Sequence, residues 1–177
     1  DSDCNGVGDA CDTNPVLTVS SDPADQADFQ HIQDAVDAAP QAATIKIFPG
    51  LGPYYENVRV DAYKLYFFQS TQKAPPAPPQ PVVVDGGSYT AFWIENTSGT
   101  APMQFTNLTV RGNTGIRSVI DSAIENVTFQ YNAGTALQLD GGKHVVDQSQ
   151  FQPTVAQGIA LANGATLDVH RTVFDGL

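Results

Sequence analysis

Apolar residues in the second half of the chain recur at a spacing far longer than a helix turn. Val110, Phe129, Phe151 and Phe174 stand at intervals of 19, 22 and 23 residues, and Ile116, Leu137 and Ile159 at 21 and 22. A short alternation accompanies each closing residue. Five positions before it stand Phe105, Ile124, Val146 and Val169; two before it stand Leu108, Val127, Ser149 and Thr172. Alternation over a few residues is the mark of a strand. A period near 22 with Gly-rich turns predicts one coil of a parallel β-helix per repeat, with these columns pointing inward. Three before each closing residue come Asn107, Asn126, Gln148 and Arg171, where one strand must bend into the next. Asn tolerates left-handed backbone, and stacked amides can bond along the axis, so this column predicts an asparagine ladder. Asn96, Asn107 and Asn126 also begin N-x-(S/T) sequons. Burial at the bend is expected to keep glycans off the last two.

The first half reads differently. Asp22-Pro23 signals a turn. Asp25 can cap a helix with Asp28 in its first turn. Phe29, Ile32, Val36 and Ala39 fall on one helical face and Pro40 ends it, so the spacing predicts a helix over 26–39. The strand Thr44-Ile45-Lys46-Ile47-Phe48 follows, closed by Pro49-Gly50, and then Tyr54-Tyr55-Glu56-Asn57-Val58-Arg59-Val60. The order IQDAVDAA, IKIFPG, YYENVRV resembles the start of the pectin lyase-like superfamily. That resemblance implies a right-handed parallel β-helix whose N-terminal helix caps the open end of the core. Part of the stretch is similar to the G-x-Y-x-E-x-V motif of pectin methylesterases, whose residues are structural there. Residues 74–81, APPAPPQP, predict a stiff polyproline loop.

Charge adds a second feature. The net charge is −11; residues 1–37 hold nine of the nineteen acids and no Lys or Arg. Such a segment calls for a cation and argues against nucleic-acid binding, which needs basic surface. Within it, Asp1, Asp3, Asn5, the Val7 carbonyl and Asp12 offer oxygens at spacings that can wrap one calcium ion. Asp9 can add a ligand through water, and Gly6 permits the sharp turn. This run resembles the end of a thrombospondin type 3 repeat, D-x-D-x-(D/N)-G-x-G-D-x-C-D, with Cys4 as a departure. The resemblance implies a structural calcium site. Cys4 and Cys11, the only cysteines, suit a disulfide in an oxidising compartment. Two free thiols, or partners upstream of Asp1, are the alternatives. The expected organisation is a calcium loop over 1–14, a linker over 15–24 and a β-helix over 25–177.

One outward column carries groups with chemistry. Four positions before each closing residue stand Thr106, Glu125, Asp147 and His170. Coils stack at about 4.8 Å, so Glu125, Asp147 and His170 are candidate catalytic neighbours, two carboxylates beside an imidazole. Against this, an outward column must be polar somewhere. Arg117, Asp140, Lys143, His144 and Arg171 are further groups expected on the surface. The later motifs of the pectin methylesterases are absent, as are the paired-Asp and Arg-x-x-Lys patterns of polygalacturonases and lyases.

No apolar run of about 18 residues suggests a membrane span. The leading expectation is an extracellular or cell-surface calcium-binding structural module for adhesion, assembly or glycan contact. The rival is the N-terminal part of a carbohydrate-active enzyme acting on acidic polysaccharide. Its catalytic coils would then lie beyond Leu177. Expected partners are calcium, the remainder of a longer chain or neighbouring copies stacked on the open end, and polysaccharide.

Overall fold

The computed structural model describes residues 15–40, 43–60, 67–70, 80–95 and 102–176. The calcium loop, both cysteines, Asn96 and most of the polyproline stretch lie outside these described residues. The remainder winds into a parallel β-solenoid of about five turns. Strand β1 (Val16–Val19) opens it. The first full turn holds β2 (Thr44–Ile47), β3 (Tyr54–Tyr55) and β4 (Val58–Val60). The second holds β5 (Phe67–Ser70), β6 (Val82–Asp85) and β7 (Thr90–Ile94). The third holds β8 (Met103–Thr106), β9 (Leu108–Gly112) and β10 (Thr114–Ser118). The fourth holds β11 (Ser122–Glu125), β12 (Thr128–Asn132) and β13 (Thr135–Asp140). The fifth holds β14 (Lys143–Asp147), β15 (Gln150–Phe151) and β16 (Gln157–Ala162). Strands β17 (Thr166–His170) and β18 (Val173–Phe174) begin another.

Each full turn gives one strand to each of three parallel sheets. Sheet A orders β1-β2-β5-β8-β11-β14-β17; sheet B runs from β3 to β18, and sheet C from β4 to β16. The column predicted from spacing is the register observed. Ile124 pairs with Phe105 and Val146, and Val146 with Val169. Phe129 pairs with Val110 and Phe151, and Phe151 with Phe174. Leu137 pairs with Ile116 and Ile159.

The bend between sheets A and B carries the ladder. Asn107, Asn126, Gln148 and Arg171 all take left-handed backbone, with φ of 59°, 51°, 49° and 44°. The backbone N–H groups of the first three donate to the carbonyls of Glu125, Asp147 and His170 in the next rung, at 3.0–3.2 Å. Asn126 Nδ2 donates to Asn107 Oδ1 at 2.8 Å. Both asparagines are exposed, contrary to expectation. The ladder runs along the outside of the bend, because side chains at a left-handed corner project away from the core.

At the N-terminal end, residues 16–19 form β1 instead of linker and pair with β2 throughout. The helix is shorter than its apolar spacing predicts. It is α1 (Ile32–Ala38), preceded by a 3-10 turn over Pro23–Asp25. The intervening residues close the edge of β1. Asp28 Oδ2 accepts from Thr18 N at 2.8 Å and from Thr18 Oγ1 at 2.7 Å. Phe29 N donates to the Thr18 carbonyl, and Ser20 N to the Phe29 carbonyl. With Phe29 bridged to Val19 and Asp28 bonded to Thr18, these residues are committed to β1 and the helix begins after them. Its N-terminal amides are met from the next turn: Glu56 accepts from Ile32 N and Gln33 N, both at 3.0 Å. Ile32, Ala35 and Val36 are buried, packing α1 against β1, β2 and β4.

Rings fill the interior. Phe68, Phe92 and Phe105 meet with centroids 5.0–5.4 Å apart. Phe129, Phe151 and Phe174 stack at 4.7 and 4.6 Å with planes 14° and 8° apart. Phe129 and Phe151 are fully buried, whereas Phe174 is 42% exposed. Among the described residues no helix is long and apolar enough to cross a membrane.

Candidate functional site

One outward column of sheet A is polar throughout. Thr18, Lys46, Gln69, Thr106, Glu125, Asp147 and His170 stand in register through seven strands. The three candidate catalytic residues are therefore successive neighbours. Arg171 changes their chemistry. From its left-handed corner it reaches back one rung, donating from Nε to Asp147 Oδ1 at 2.9 Å and from Nη2 to Asp147 Oδ2. A bidentate guanidinium favours the ionised carboxylate. It holds Asp147 below the usual carboxylate range and raises the Arg171 pKa. Asp147 is thereby an ion-pair partner and a poor proton donor near neutral pH. Glu125 is exposed on the same face.

His144, expected on the surface, is an interior residue, only 2% exposed. Inward positions alternate along β14, so His144 points the same way as Val146. In register with it stands Ser122, also buried. Ser122 Oγ lies 2.7 Å from His144 Nδ1, and His144 Nε2 lies 2.5 Å from the Gly141 carbonyl. A carbonyl only accepts, so Nε2 carries the proton and the Ser122 hydroxyl donates to Nδ1. Burial lowers the His144 pKa. The pair has the spacing of a nucleophile and its base, but Ser122 is 1% exposed and a substrate cannot reach it. Its role is to satisfy two polar groups inside the core.

Sheet C carries an outward arrangement that sequence spacing did not reveal. Arg59, Trp93 and Arg117 stand in register on β4, β7 and β10. The two guanidinium carbons lie 5.5 and 5.4 Å from the Trp93 ring, in cation–π range. Each arginine also has a carboxylate. Arg59 pairs with Glu95, and Arg117 Nε donates to Asp140 Oδ2 at 2.8 Å. Asp140 also accepts from Gln138 Nε2. The column is a closed network of opposite charges around one indole.

Two shallow clefts lie away from these columns. One, of about 240 Å³, is walled by Pro49, Leu51, Pro53, Pro81 and Val83. The other, of about 280 Å³, lies between Tyr55 and Tyr89. Among the described residues, no three His, Cys, Asp or Glu side chains gather as a metal site would require. The candidate ligands Asp1, Asp3, Asn5, Val7, Asp9 and Asp12 lie outside those residues.

Fold and faces together define the class: an all-β parallel solenoid with one short α-helix among the described residues, carrying charged groups on its outward faces. No family model, curated protein or solved structure matches the chain.

Proposed function

We propose that this chain is a calcium-binding structural module of a secreted or cell-surface protein, presenting a solenoid for adhesion, assembly or glycan contact. One observation carries the reading. The outward column richest in catalytic side chains is tied by Arg171 onto Asp147, as a stacking element would be. General acid catalysis instead needs a carboxyl whose pKa is raised toward neutrality. In this reading Asp1, Asp3, Asn5, the Val7 carbonyl, Asp9 and Asp12 hold one calcium ion as in a thrombospondin type 3 repeat, with Cys4 and Cys11 bridged beside it. The β-helix is right-handed and pectin lyase-like, and α1 caps its N-terminal end.

Three measurements test it. Calorimetry should find calcium bound by the full chain and lost on replacing Asp3 and Asp12 by Asn. Chelation should leave the circular dichroism of the solenoid unchanged. Incubation with uronate-rich polysaccharide and calcium should yield neither unsaturated products nor new reducing ends. Depolymerisation abolished by Glu125→Gln or Asp147→Asn would instead establish the enzyme reading, which the shared register of Glu125, Asp147 and His170 favours.

A further inference from the structure

The cleft between Tyr55 and Tyr89 is formed where sheet B turns toward sheet C. Tyr55 ends β3 and stands in register with Asp85, which ends β6. The chain then turns through Gly86–Tyr89 before β7. Tyr55, Glu56, Asn57, Asp85, Ser88 and Tyr89 line the cleft with the glycine backbone.

The backbone of this cleft is fixed. Glu56 N donates to the Asp85 carbonyl, Tyr89 N to Gly86, Gly86 N to Arg111 and Asn113 N to Tyr89, all at 2.9–3.1 Å. Gly87 N donates to Asp85 Oδ1 at 2.8 Å. A side chain at Gly86 would lie 2.6 Å from Ala91 N, so the turn admits only glycine there. On this rigid floor stand two tyrosines that core packing does not explain. They are 76% and 72% exposed, and among the described residues neither hydroxyl is hydrogen-bonded. Large exposed aromatics beside a concavity mark contact sites.

The lining selects the ligand by charge. It holds two carboxylates and no Lys or Arg, and aromatic faces add negative quadrupole potential. Anions are disfavoured. A calcium ion is also a poor fit. It needs six to eight oxygens, while both Glu56 oxygens are committed to α1 and Asp85 Oδ1 to Gly87. A diffuse cation needs no such shell and gains from ring faces and a nearby carboxylate field. We infer that this cleft binds the ammonium head of a small organic cation, seated between Tyr55 and Tyr89 and facing Asp85. The inference is independent of the calcium loop and of the sheet A column, so either can fail without the other.

The test is a titration of the full chain with choline and with its neutral isostere 3,3-dimethylbutan-1-ol, followed through the amide resonances of Gly86 and Gly87. Choline should shift both resonances saturably, and the isostere should bind at least about fivefold more weakly. Tyr89→Phe should keep the affinity. Tyr55→Ala and Tyr89→Ala should each lose roughly fivefold, and Asp85→Asn should weaken choline but not the isostere. None of the three positions is buried, and thermal melts confirm that the variants fold. Equal binding of choline and its isostere would overturn the inference, as would alanine variants that bind like the parent. Shifts produced by glucose but not choline would also overturn it, making the cleft a sugar contact.

Discussion

Replacing Phe151 by Ala tests whether the inward column carries the stability of the later coils. Phe151 is fully buried, with Phe129 4.7 Å to one side and Phe174 4.6 Å to the other. Truncating a buried Phe costs about 3–5 kcal/mol, and stacked rings place this one near the upper end. Phe174 occupies the same column one rung later but is 42% exposed and stacked on one side only. Its truncation forfeits about half the burial, roughly 1–2 kcal/mol. Urea unfolding separates the two. With m near 2 kcal/mol/M, Phe151→Ala should lower the midpoint by roughly 2 M and Phe174→Ala by less than about 1 M. The double mutant should reveal a coupling of about 1 kcal/mol, since the rings touch. Phe151→Leu, which keeps most of the volume, should cost under about 1.5 kcal/mol and more than Phe174→Leu, so the leucine pair gives the ranking if the alanine variant has no folded baseline. Equal losses at both positions, or no coupling, would refute the stacked-column account.

The ladder, the helix cap and the buried imidazole give further tests. At Asn126, φ is 51°, so Ala should destabilise more than Gly by about 1 kcal/mol in thermal melts; equal effects would deny that left-handed strain is at issue. Glu56→Ala removes both acceptors from α1, costing about 1–2 kcal/mol and speeding hydrogen exchange at Ile32 and Gln33; unchanged exchange would rule out the cap. His144 has its pKa lowered by burial, so the unfolded chain takes up the proton first as pH falls. Stability should be fully kept above about pH 6.5, fall between that value and the lowered folded pKa, and level off below. His144→Leu should flatten this pH dependence, and a variant that keeps it would place its source elsewhere. The lowered Asp147 pKa contributes stability that is lost only below its usual 3.8.

The inward columns were legible because burial enforces them. A rung that places Ile124 between Phe105 and Val146 has no freedom to become charged, so apolar identity persists while turn length varies. The ladder was legible for a related reason: a left-handed corner restricts the residues that can stand there, and Asn107 and Asn126 satisfy it cheaply. At His144 the alternation and the side chain's polarity point in opposite directions. His144 sits two residues before Val146, and period-2 alternation alone puts both inside. Only its polarity suggested the surface, and the Ser122 hydroxyl and the Gly141 carbonyl remove that objection. The helix failed in another way. Phe29 lies on the apolar face of the predicted helix, but its backbone and that of Asp28 are needed to close the edge of β1. That demand arises from tertiary structure and outweighs local spacing.

Outward columns obey no such enforcement, and this is why the candidate chemistry was harder to read than the fold. Arg59, Trp93, Arg117, Gln138 and Ala160 share one register on sheet C, yet no two adjacent rungs repeat a residue type. Their first two intervals are 34 and 24 residues, so the period of the later coils cannot be carried back to them. Insertions between strands cost little loop-closure free energy, since that term grows only with the logarithm of length. A solenoid can therefore lengthen its turns freely while its strands stay in register. The cleft between Tyr55 and Tyr89 shows the consequence. Its walls come from consecutive turns joined by backbone bonds, and its residues lie about thirty positions apart in sequence. Sites on this fold are set by which rungs meet, so a search for function along the chain must first count the coils.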